Sequence, residues 1–343
     1  MPRFRSAKQI KTGVVGYGAS FNMGRHHLNA MQQAGMTPVA VADIDPSRLP
    51  VAAADFPGIQ TFPSLGAMLA GCDVDLITMV TPHNTHAPLA LQALRAGRHV
   101  VCEKPFALTT AECDAMIAAA RKSGVMLSAY HNRHWDGCIL AALKQVRAGA
   151  IGEVYRIEAH VGRHGQPGDW WRTSKKISGG ILYDWGAHLL EYSLQLMDAD
   201  IVEVTGFAHT GFWAAKTAWK EDTHEDEALA VVRFANGKWL ALTVTCLDAN
   251  PKRGMLEVTG TKGSLIVDGG YNEIITQDGP NTTIARYRNP DSESWRFYRN
   301  IADHLVKGTP LIITPEWARR PIHIMDLANR SARLGRSLRV RYA

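Results

Sequence analysis

The first 130 residues alternate strand-like and helix-like segments, and this alternation constrains the fold more than any other feature of the chain. An apolar run from Thr12 to Val15 enters the turn Gly16-Tyr17-Gly18, and a helical pattern follows from Met23 to Ala34. A second apolar run, Pro38 to Ala42, ends at Asp43. Strand, glycine turn, helix and strand in this order make a βαβ unit.

The alternation continues to residue 130 and predicts a parallel, doubly wound sheet. Further strands are expected at 74–80, 98–102 and 125–130, with helices at 87–96 and 110–123. Thr81-Pro82 and Glu103-Lys104-Pro105 follow two of these strands. Open parallel sheets bind ligands at the carboxyl ends of their strands, so both segments are expected to face a ligand.

The glycine turn favours a dinucleotide as that ligand. Two glycines let the backbone approach a pyrophosphate, and the following helix N-terminus favours its charge. Asp43 lies 25 residues after Gly18, near the spacing at which an acid binds the adenosine ribose. A carboxylate there repels a 2′-phosphate, which favours NAD over NADP, although Arg48 lies close enough in sequence to soften the repulsion. The alternative is a glycine turn that only links strand to helix.

Beyond about residue 150 the pattern changes to short alternating strands, expected at 154–160, 202–207, 228–234, 238–246, 254–259 and 264–267. Asn236-Gly237 is a strong hairpin signal. We therefore predict an α+β domain over residues 131–294, built on an open, mostly antiparallel sheet after a Rossmann domain at 1–130. An open sheet needs a cover, which predicts a homodimer or homotetramer. Helices within 295–335 are expected to pack back on the first domain.

Composition narrows the class of protein. With 46% hydrophobic and 20% charged residues and no apolar run long enough to span a bilayer, the chain is expected to be globular. The basic start, Met1 to Lys8, lacks the apolar stretch of a secretory leader, and five scattered cysteines suit a reducing cytoplasm. The net charge is +6, yet no basic stripe interleaved with aromatic residues indicates nucleic acid.

Candidate chemistry in the second half centres on Asp184 and His188, which lie four residues apart and so share one face of a helix. The carboxylate could orient the imidazole for proton transfer, whereas alone a buried histidine is more often structural and an aspartate often starts a helix. The indoles of Trp170 and Trp171 could stack on a ligand ring, and Arg172 could hold ligand oxygens. The alternative is packing plus a surface cation. His131-x-x-His134 and the segment 223–226 lack a third ligand at metal spacing, so no metal is predicted.

The chain resembles the Gfo/Idh/MocA family of nicotinamide-dependent oxidoreductases over essentially its full length. The matching elements are Gly16-x-Gly18, Gly24-Arg25-His26-His27, Asp43, Thr81-Pro82-x-x-x-His86, Glu103-Lys104-Pro105, Trp171-Arg172, and Gly179-Gly180 followed by Asp184 and His188. The chain departs from the pattern in its glycine loop, where five residues separate Gly18 from Gly24 instead of the usual two.

The resemblance implies a catalytic group of Lys104, Asp184 and His188 beside the nicotinamide. Cofactor contacts are predicted at Gly16, Tyr17, Gly18, Ser20, Phe21, Asn22, Met23, Asp43, Thr81, Pro82, His86, Glu103 and Lys104. Substrate contacts are predicted at Arg133, Trp171, Arg172 and Tyr183.

The expected reaction is oxidation of a secondary alcohol of a sugar, cyclitol or derivative, with His188 as acid/base and Lys104 stabilising charge on the oxygen. Two alternatives remain open. One is a hydrolase or lyase that uses transient oxidation by a tightly held NAD. The other is a sensor that binds NAD without catalysis, which would have no need of all three residues.

Overall fold

The computed structural model describes residues 4–197 and 199–340, so residues 1–3, which entered the leader prediction, lie outside it. The chain divides into two compact units. The first comprises the residues up to Asn132 together with Trp295–Arg319, and the second comprises Arg133–Ser294 and the residues from Arg320 onward. The prediction placed both C-terminal helices with the first domain, whereas this division assigns most of the last helix to the second unit.

The first unit is built on a six-stranded parallel sheet with the strand order β3-β2-β1-β4-β5-β6. Its central strands are buried on both faces, as is typical of parallel sheets. The predicted Rossmann fold is therefore confirmed. In chain order the elements are β1 (Lys11–Val15), α1 (Met23–Gln33), β2 (Thr37–Ala42), α2 (Arg48–Asp55), β3 (Gln60–Phe62), α3 (Leu65–Gly71), β4 (Leu76–Met79), α4 (His86–Arg95), β5 (His99–Cys102), α5 (Thr110–Ser123) and β6 (Leu127–Ala129).

The second unit is built on a nine-stranded sheet with the order β14-β13-β12-β11-β7-β10-β9-β8-β15. Among the described strands of this sheet, only β7 and β10 pair in parallel, so the predicted mostly antiparallel sheet is confirmed. Its elements are α6 (Gly137–Arg147), β7 (Val154–Gly162), α7 (Lys175–Ser178), α8 (Leu182–Leu196), β8 (Ile201–His209), β9 (Glu227–Phe234), β10 (Trp239–Thr245), β11 (Leu256–Gly260), β12 (Gly263–Val267), β13 (Tyr271–Asp278), β14 (Asn281–Arg288) and β15 (Leu338–Arg339).

Two helices complete the chain, α9 (Arg296–Lys307) and α10 (Pro315–Leu334). Helix α9 is strongly amphipathic and buries Phe297, Tyr298 and Ile301 in the first unit. In the second unit α10 lies so close to β8 that a Cβ on Gly206 would stand 2.0 Å from the carbonyl oxygen of Ala328. A larger residue at position 206 would therefore displace α10.

One face of the nine-stranded sheet is covered by helices, and this cover fixes the position of α8. Helix α8 packs on β7 and β10, where alternate residues such as Ile157, Leu240 and Leu242 are fully buried. Burying each such side chain contributes about 1.5–3 kcal/mol. Gly186 allows the close approach, since its Cβ would lie 3.2 Å from the Leu242 side chain. The polar residues of the first turns of α8 are thereby held on a rigid support.

No helix among residues 4–197 and 199–340 has the length and hydrophobicity needed to cross a membrane. All five cysteines are buried free thiols. Within the described part of the chain, no cluster of three histidine, cysteine or acidic side chains is arranged to hold a metal ion.

Candidate active site

The glycine loop of the first unit is shaped to admit a ligand. Gly16 has φ +103°, and a Cβ there would lie 2.1 Å from the carbonyl oxygen of Val80, so only glycine fits. A Cβ on Gly18 would meet nothing within 4 Å, so packing does not require glycine there. A bound pyrophosphate close to the backbone would explain it, and the N-terminus of α1 follows at Met23. The residues present therefore fit a dinucleotide.

Tyr17, between these glycines, holds the loop in place through its buried side chain. Its side chain is 2% exposed, and its hydroxyl donates to Oδ2 of Asp55 at 2.7 Å. Arg25 of α1 donates to both oxygens of the same carboxylate. Burial, followed by the hydrogen bond to Asp55, raises the pKa of Tyr17 to about 12, so the phenol stays protonated. Asp55 was not predicted, because nothing in the local sequence marks it as a partner of residue 17.

Asp43 lies directly beneath the loop at the end of β2. Its Oδ2 accepts from the Tyr17 amide at 2.5 Å, and its Oδ1 accepts from the Asp45 amide at 2.8 Å. Arg48 donates from Nε to the carbonyl oxygen of Tyr17 at 2.9 Å. The predicted acid is therefore joined to the predicted glycine loop, while Ser20, Phe21 and Asn22 are exposed on the loop's outer side.

His86 joins two of the predicted cofactor segments. Its Nε2 lies 2.8 Å from the carbonyl oxygen of Thr81, and its Nδ1 lies 2.8 Å from that of Pro105. Burial lowers the pKa of His86, against the hydrogen bonds to Pro105 and Thr81, which act to raise it. The ring is fully enclosed, so its contacts are with the backbone of the ligand-facing segments. Pro82 and Lys104 are partly exposed on the same unit.

In the second unit, Asp184 lies in the first turn of α8, where the helix dipole stabilises a carboxylate. Arg172 donates from Nη1 to Oδ1 of Asp184 at 2.8 Å. The same guanidinium lies over the indoles of Trp170 and Trp171, at 5.0 Å and 5.3 Å from the ring centroids. The predicted substrate residues Trp171 and Arg172 are therefore grouped with Asp184.

His188, one turn further along α8, is 6% exposed and lies beside Trp185, with 5.8 Å between the ring centroids. Arg133 lies over the ring of Trp185, with its Cζ 5.1 Å from the ring centroid. Arg133 donates to Oδ2 of Asp136 at 3.1 Å, and Tyr192 donates to the same oxygen at 2.6 Å. The structure thus groups Arg133 with His188 through an indole.

A buried carboxylate supports the start of α8. Glu225 is 1% exposed, accepts the Ile181 amide hydrogen at 2.9 Å and pairs with Lys175 at 2.7 Å. Gly180 has φ +119°, and a Cβ there would lie 2.6 Å from Oε2 of Glu225. Gly180 is therefore required both by its backbone and by this close approach. The sequence pattern included the glycine pair, but it did not predict the contact of Ile181 with Glu225, 44 residues further along the chain.

Tyr183 is 1% exposed, so it contributes core packing under α8 in this structure. Its predicted contact with a substrate stays a prediction. In the segments 131–134 and 223–226, which could suggest a metal, the side chains have other contacts. Asp226 accepts the amide hydrogens of Phe212 and Trp213, and His134 lies 2.5 Å from Glu191.

A parallel sheet with a glycine loop and an acid at the end of its second strand is typical of a dinucleotide-binding protein. Here a separate, mostly antiparallel sheet domain follows it in the chain. The family models agree. Residues 10–131 match the model described as the oxidoreductase family with an NAD-binding Rossmann fold, and residues 139–266 match the GFO/IDH/MocA C-terminal domain. The chain belongs to the Gfo/Idh/MocA family, as the resemblance predicted.

Known proteins similar to the chain include several oxidoreductases. It is 24% identical to the scyllo-inositol 2-dehydrogenase (NADP(+)) IolW of Bacillus subtilis over 97% of both chains. It is 28% identical to the D-apiose dehydrogenase of Paraburkholderia graminis, over 82% of this chain and 73% of that protein. A crystal structure of an NAD-binding protein from Listeria innocua matches with a TM-score of 0.80 and 28% identity, over 97% of both chains. The chain spans about half the length of three further curated relatives, all uncharacterized oxidoreductases.

Proposed function

We propose that the protein is an NAD-dependent oxidoreductase that oxidises a secondary alcohol of a sugar, cyclitol or related polyol. The observation that carries this proposal is the polar and aromatic face of α8. There Asp184, Trp185 and His188 stand beside two arginines that carboxylates hold in place. Hydrogen-bonding groups next to indole surfaces suit a ring that carries several hydroxyls. The relatives named for scyllo-inositol and D-apiose support the same substrate class.

The protein's residues are assigned to the proton and to substrate binding. A ring nitrogen of His188 takes the hydroxyl proton, and Lys104 stabilises the charge that develops on the oxygen. Asp184, fixed by Arg172, accepts a hydrogen bond from a neighbouring hydroxyl. Residues of the first unit would hold NAD: the loop from Gly16 to Met23, Asp43, and the segments Thr81-Pro82 and Glu103-Lys104. When bound, NAD would accept the carbinol hydride.

The preference for NAD over NADP is assigned to Asp43. Its carboxylate is fixed under the glycine loop by two backbone amides. A 2′-phosphate at the same place would meet a like charge, which costs several kcal/mol at short distance, about 4 at 4 Å in a surface-like dielectric. Arg48 lies next to the loop and reduces part of that repulsion.

A panel of inositols, aldoses and glycosides with NAD⁺ or NADP⁺, followed at the nicotinamide absorbance, tests the proposal. We expect Lys104→Met and His188→Ala to abolish turnover of a positive substrate. Lys122→Met and His304→Ala, which change the same residue types away from the site, should leave it unchanged. Wild-type turnover by the Lys104 or His188 variant contradicts the assigned roles. Cleaved product without net NADH would instead favour redox-assisted cleavage.

We also propose that a second copy of the chain covers the open face of the nine-stranded sheet. The strand register puts Glu203, Arg233, Trp239 and Arg156 in one cross-strand row on the face opposite α8. Phe207, on the same face, is 59% exposed. A groove of about 390 Å³ over β7, β11, β12 and β13 lies there too. Aromatic residues and arginine are enriched in protein–protein interfaces, which supports this face as the interface of a homodimer or homotetramer.

A further inference from the structure

Both carboxylate oxygens of Glu103, the residue before Lys104, are engaged inside the first unit. Oε2 accepts the amide hydrogen of Lys104 at 2.9 Å. Oε1 lies 2.9 Å from Nε2 of His27, which belongs to α1 and is fully buried. The carboxylate therefore connects the backbone of Lys104 to the interior of the unit.

The connection continues from His27 to the C-terminal helix. Nδ1 of His27 lies 2.7 Å from the hydroxyl of Tyr298 on α9, and this hydroxyl lies 3.0 Å from Oγ1 of Thr78 on β4. The ring of Tyr130 packs edge-on against His27 at 4.3 Å. Residues from α1, β4 and α9 thus meet behind the Lys104 segment, which sequence distance alone would not suggest.

The hydrogen bond between His27 and Glu103 can be assigned a direction. Glu103 is an acceptor when ionised, so Nε2 of His27 donates to it. A neutral ring would accept at Nδ1 from the Tyr298 hydroxyl. A protonated ring would donate to that hydroxyl, which would then donate to Oγ1 of Thr78. In the second case the Thr78 hydroxyl can donate to Sδ of Met31, 3.9 Å away. Each of these buried groups has a partner in both protonation states of His27, so the connection from α9 to Glu103 is kept.

The charge on Glu103 agrees with this assignment. Burial alone would raise the pKa of Glu103, but the hydrogen bond and charge of His27, followed by the charge and amide of Lys104, outweigh it and lower the pKa. An ionised Glu103 keeps both of its hydrogen bonds as an acceptor. A protonated one would lose an acceptor on one side.

The residue after Lys104 is held as well. Its carbonyl, that of Pro105, is 2.8 Å from the buried ring of His86. One buried histidine therefore acts on each side of Lys104, His27 through the Glu103 side chain and His86 directly on the backbone.

We infer that Glu103, His27 and Tyr298 are positioning residues for Lys104, forming one hydrogen-bonded chain from α9 to the catalytic lysine's own amide. This inference rests on the proposed role of Lys104. It assigns Glu103 an internal function, in addition to any contact with cofactor. These hydrogen bonds fix the peptide from which the Lys104 side chain extends. Catalysis by positioning requires that a group touching the substrate be held in place.

The test measures Lys104 itself as well as turnover. Glu103→Gln, His27→Phe, His27→Gln and Tyr298→Phe are compared with the wild type. Each protein is labelled with an amine-reactive reagent, and the labelling rate of Lys104 is measured by mass spectrometry relative to that of exposed Lys122. His99→Gln is the matched control. It removes a buried histidine from β5, the strand that leads to Glu103, at the end of the strand remote from Glu103.

We expect Lys104 to label about threefold faster or more in Glu103→Gln and His27→Phe, since a segment with fewer hydrogen bonds opens more often. We expect kcat to fall about tenfold or more in both variants, because misplacement by about 1 Å is costly to chemistry. In His27→Phe, which changes no residue assigned to the cofactor, KM and NADH affinity should change little. His27→Gln should recover part of the loss, because its amide can still donate to Glu103. His99→Gln should match the wild type.

Wild-type Lys104 labelling and kcat in the folded variants would overturn the inference. If Glu103→Gln and His27→Phe fail to fold, Tyr298→Phe, which removes one oxygen, decides by the same two rates. The labelling experiment needs no substrate, so its outcome is separate from that of the proposed function. Full turnover by Lys104→Met would refute the catalytic role while leaving the labelling result intact.

Discussion

Arg172 donates to Asp184 across 2.8 Å and ties the segment before α7 to the first turn of α8. The guanidinium also lies against two indoles, so its position is set on three sides. Asp184 is therefore oriented by Arg172 rather than left to rotate at the helix start. This relationship gives the first of five predictions.

Arg172→Lys should reduce kcat/KM for the substrate about tenfold, because a charge-assisted hydrogen bond contributes about 1.5–3 kcal/mol and lysine lacks the planar fork that stacks on indole. Steady-state kinetics of the purified variant measure this. Arg163→Lys, at an exposed arginine of the same unit, is the control. Unchanged kcat/KM in Arg172→Lys would show that Asp184 does not depend on this contact.

Glu225→Ala should lower the free energy of unfolding by about 2 kcal/mol, since it leaves the Ile181 amide without its acceptor and Lys175 without its partner. Lys175 is half exposed, so its ion pair with Glu225 contributes only a small part of this stability. Urea denaturation followed by tryptophan fluorescence measures the change. Glu221→Ala, an exposed acid in the same loop, should shift the value by less than about 0.5 kcal/mol. Equal effects of the two substitutions would argue against support of α8 by Glu225.

Asp43→Ser should lower the ratio of the dissociation constants for NADPH and NADH about tenfold or more, because removing a unit charge near the 2′ position removes a repulsion of several kcal/mol. Fluorescence titration with both nucleotides gives the ratio. Asp45→Ser removes the next acid along the loop and should leave the ratio near that of the wild type. A ratio unaffected by Asp43→Ser would place cofactor selection elsewhere.

Glu103 should make stability depend on pH in the acid range. Its pKa is below the ordinary value of 4.5 in the folded protein. A carboxyl group whose pKa is lower in the folded state stabilises the folded protein fully at pH values above its unfolded pKa. This stabilisation is lost as the pH falls through the folded pKa. The difference in unfolding free energy between wild type and Glu103→Gln should therefore be constant from about pH 7 to pH 5 and shrink below about pH 4.5. Denaturant titrations over this range measure it, and a constant difference would contradict the assignment.

Trp239→Asp should produce monomers, because it adds a charge to the open face of the nine-stranded sheet. Light scattering coupled to size-exclusion chromatography measures the mass of each variant. Leu334→Asp, at a residue that is 51% exposed at the end of α10, is the matched control and should keep the wild-type mass. A wild-type mass for Trp239→Asp would remove this face as the interface.

The sequence predicted the elements whose pattern is long and regular. The βαβ start, helix α5 and the β9–β10 hairpin all coincide with the structure to within a few residues. The segment from α2 to α3 was not predicted, because α2 contains Pro50, β3 has 3 residues and α3 has 7. Strands β13 and β14 were also not predicted. Most of β14 is exposed, so it lacks the alternation that marks a half-buried strand.

The site shows the same division. Spacing predicted that Asp184 and His188 share one helix, and both lie on α8. Asp43 and Lys104 were predicted at strand ends, and they follow β2 and β5. Their functional roles stay predictions. His27 and Tyr298 are separated by 271 residues, and their contact depends on where the tail helix returns. Such partners follow from the completed topology, and no local pattern of residues contains them.

The two arginines of the α8 face each bring their own carboxylate, Asp136 for Arg133 and Asp184 for Arg172. An incoming anion, such as a sugar phosphate or a sugar acid, would have to compete with these carboxylates for the guanidinium groups. A hydroxyl can instead donate to a carboxylate and accept from a guanidinium without separating the pair. Under the proposed function, we therefore expect the same two ion pairs to favour neutral polyols over their acidic derivatives.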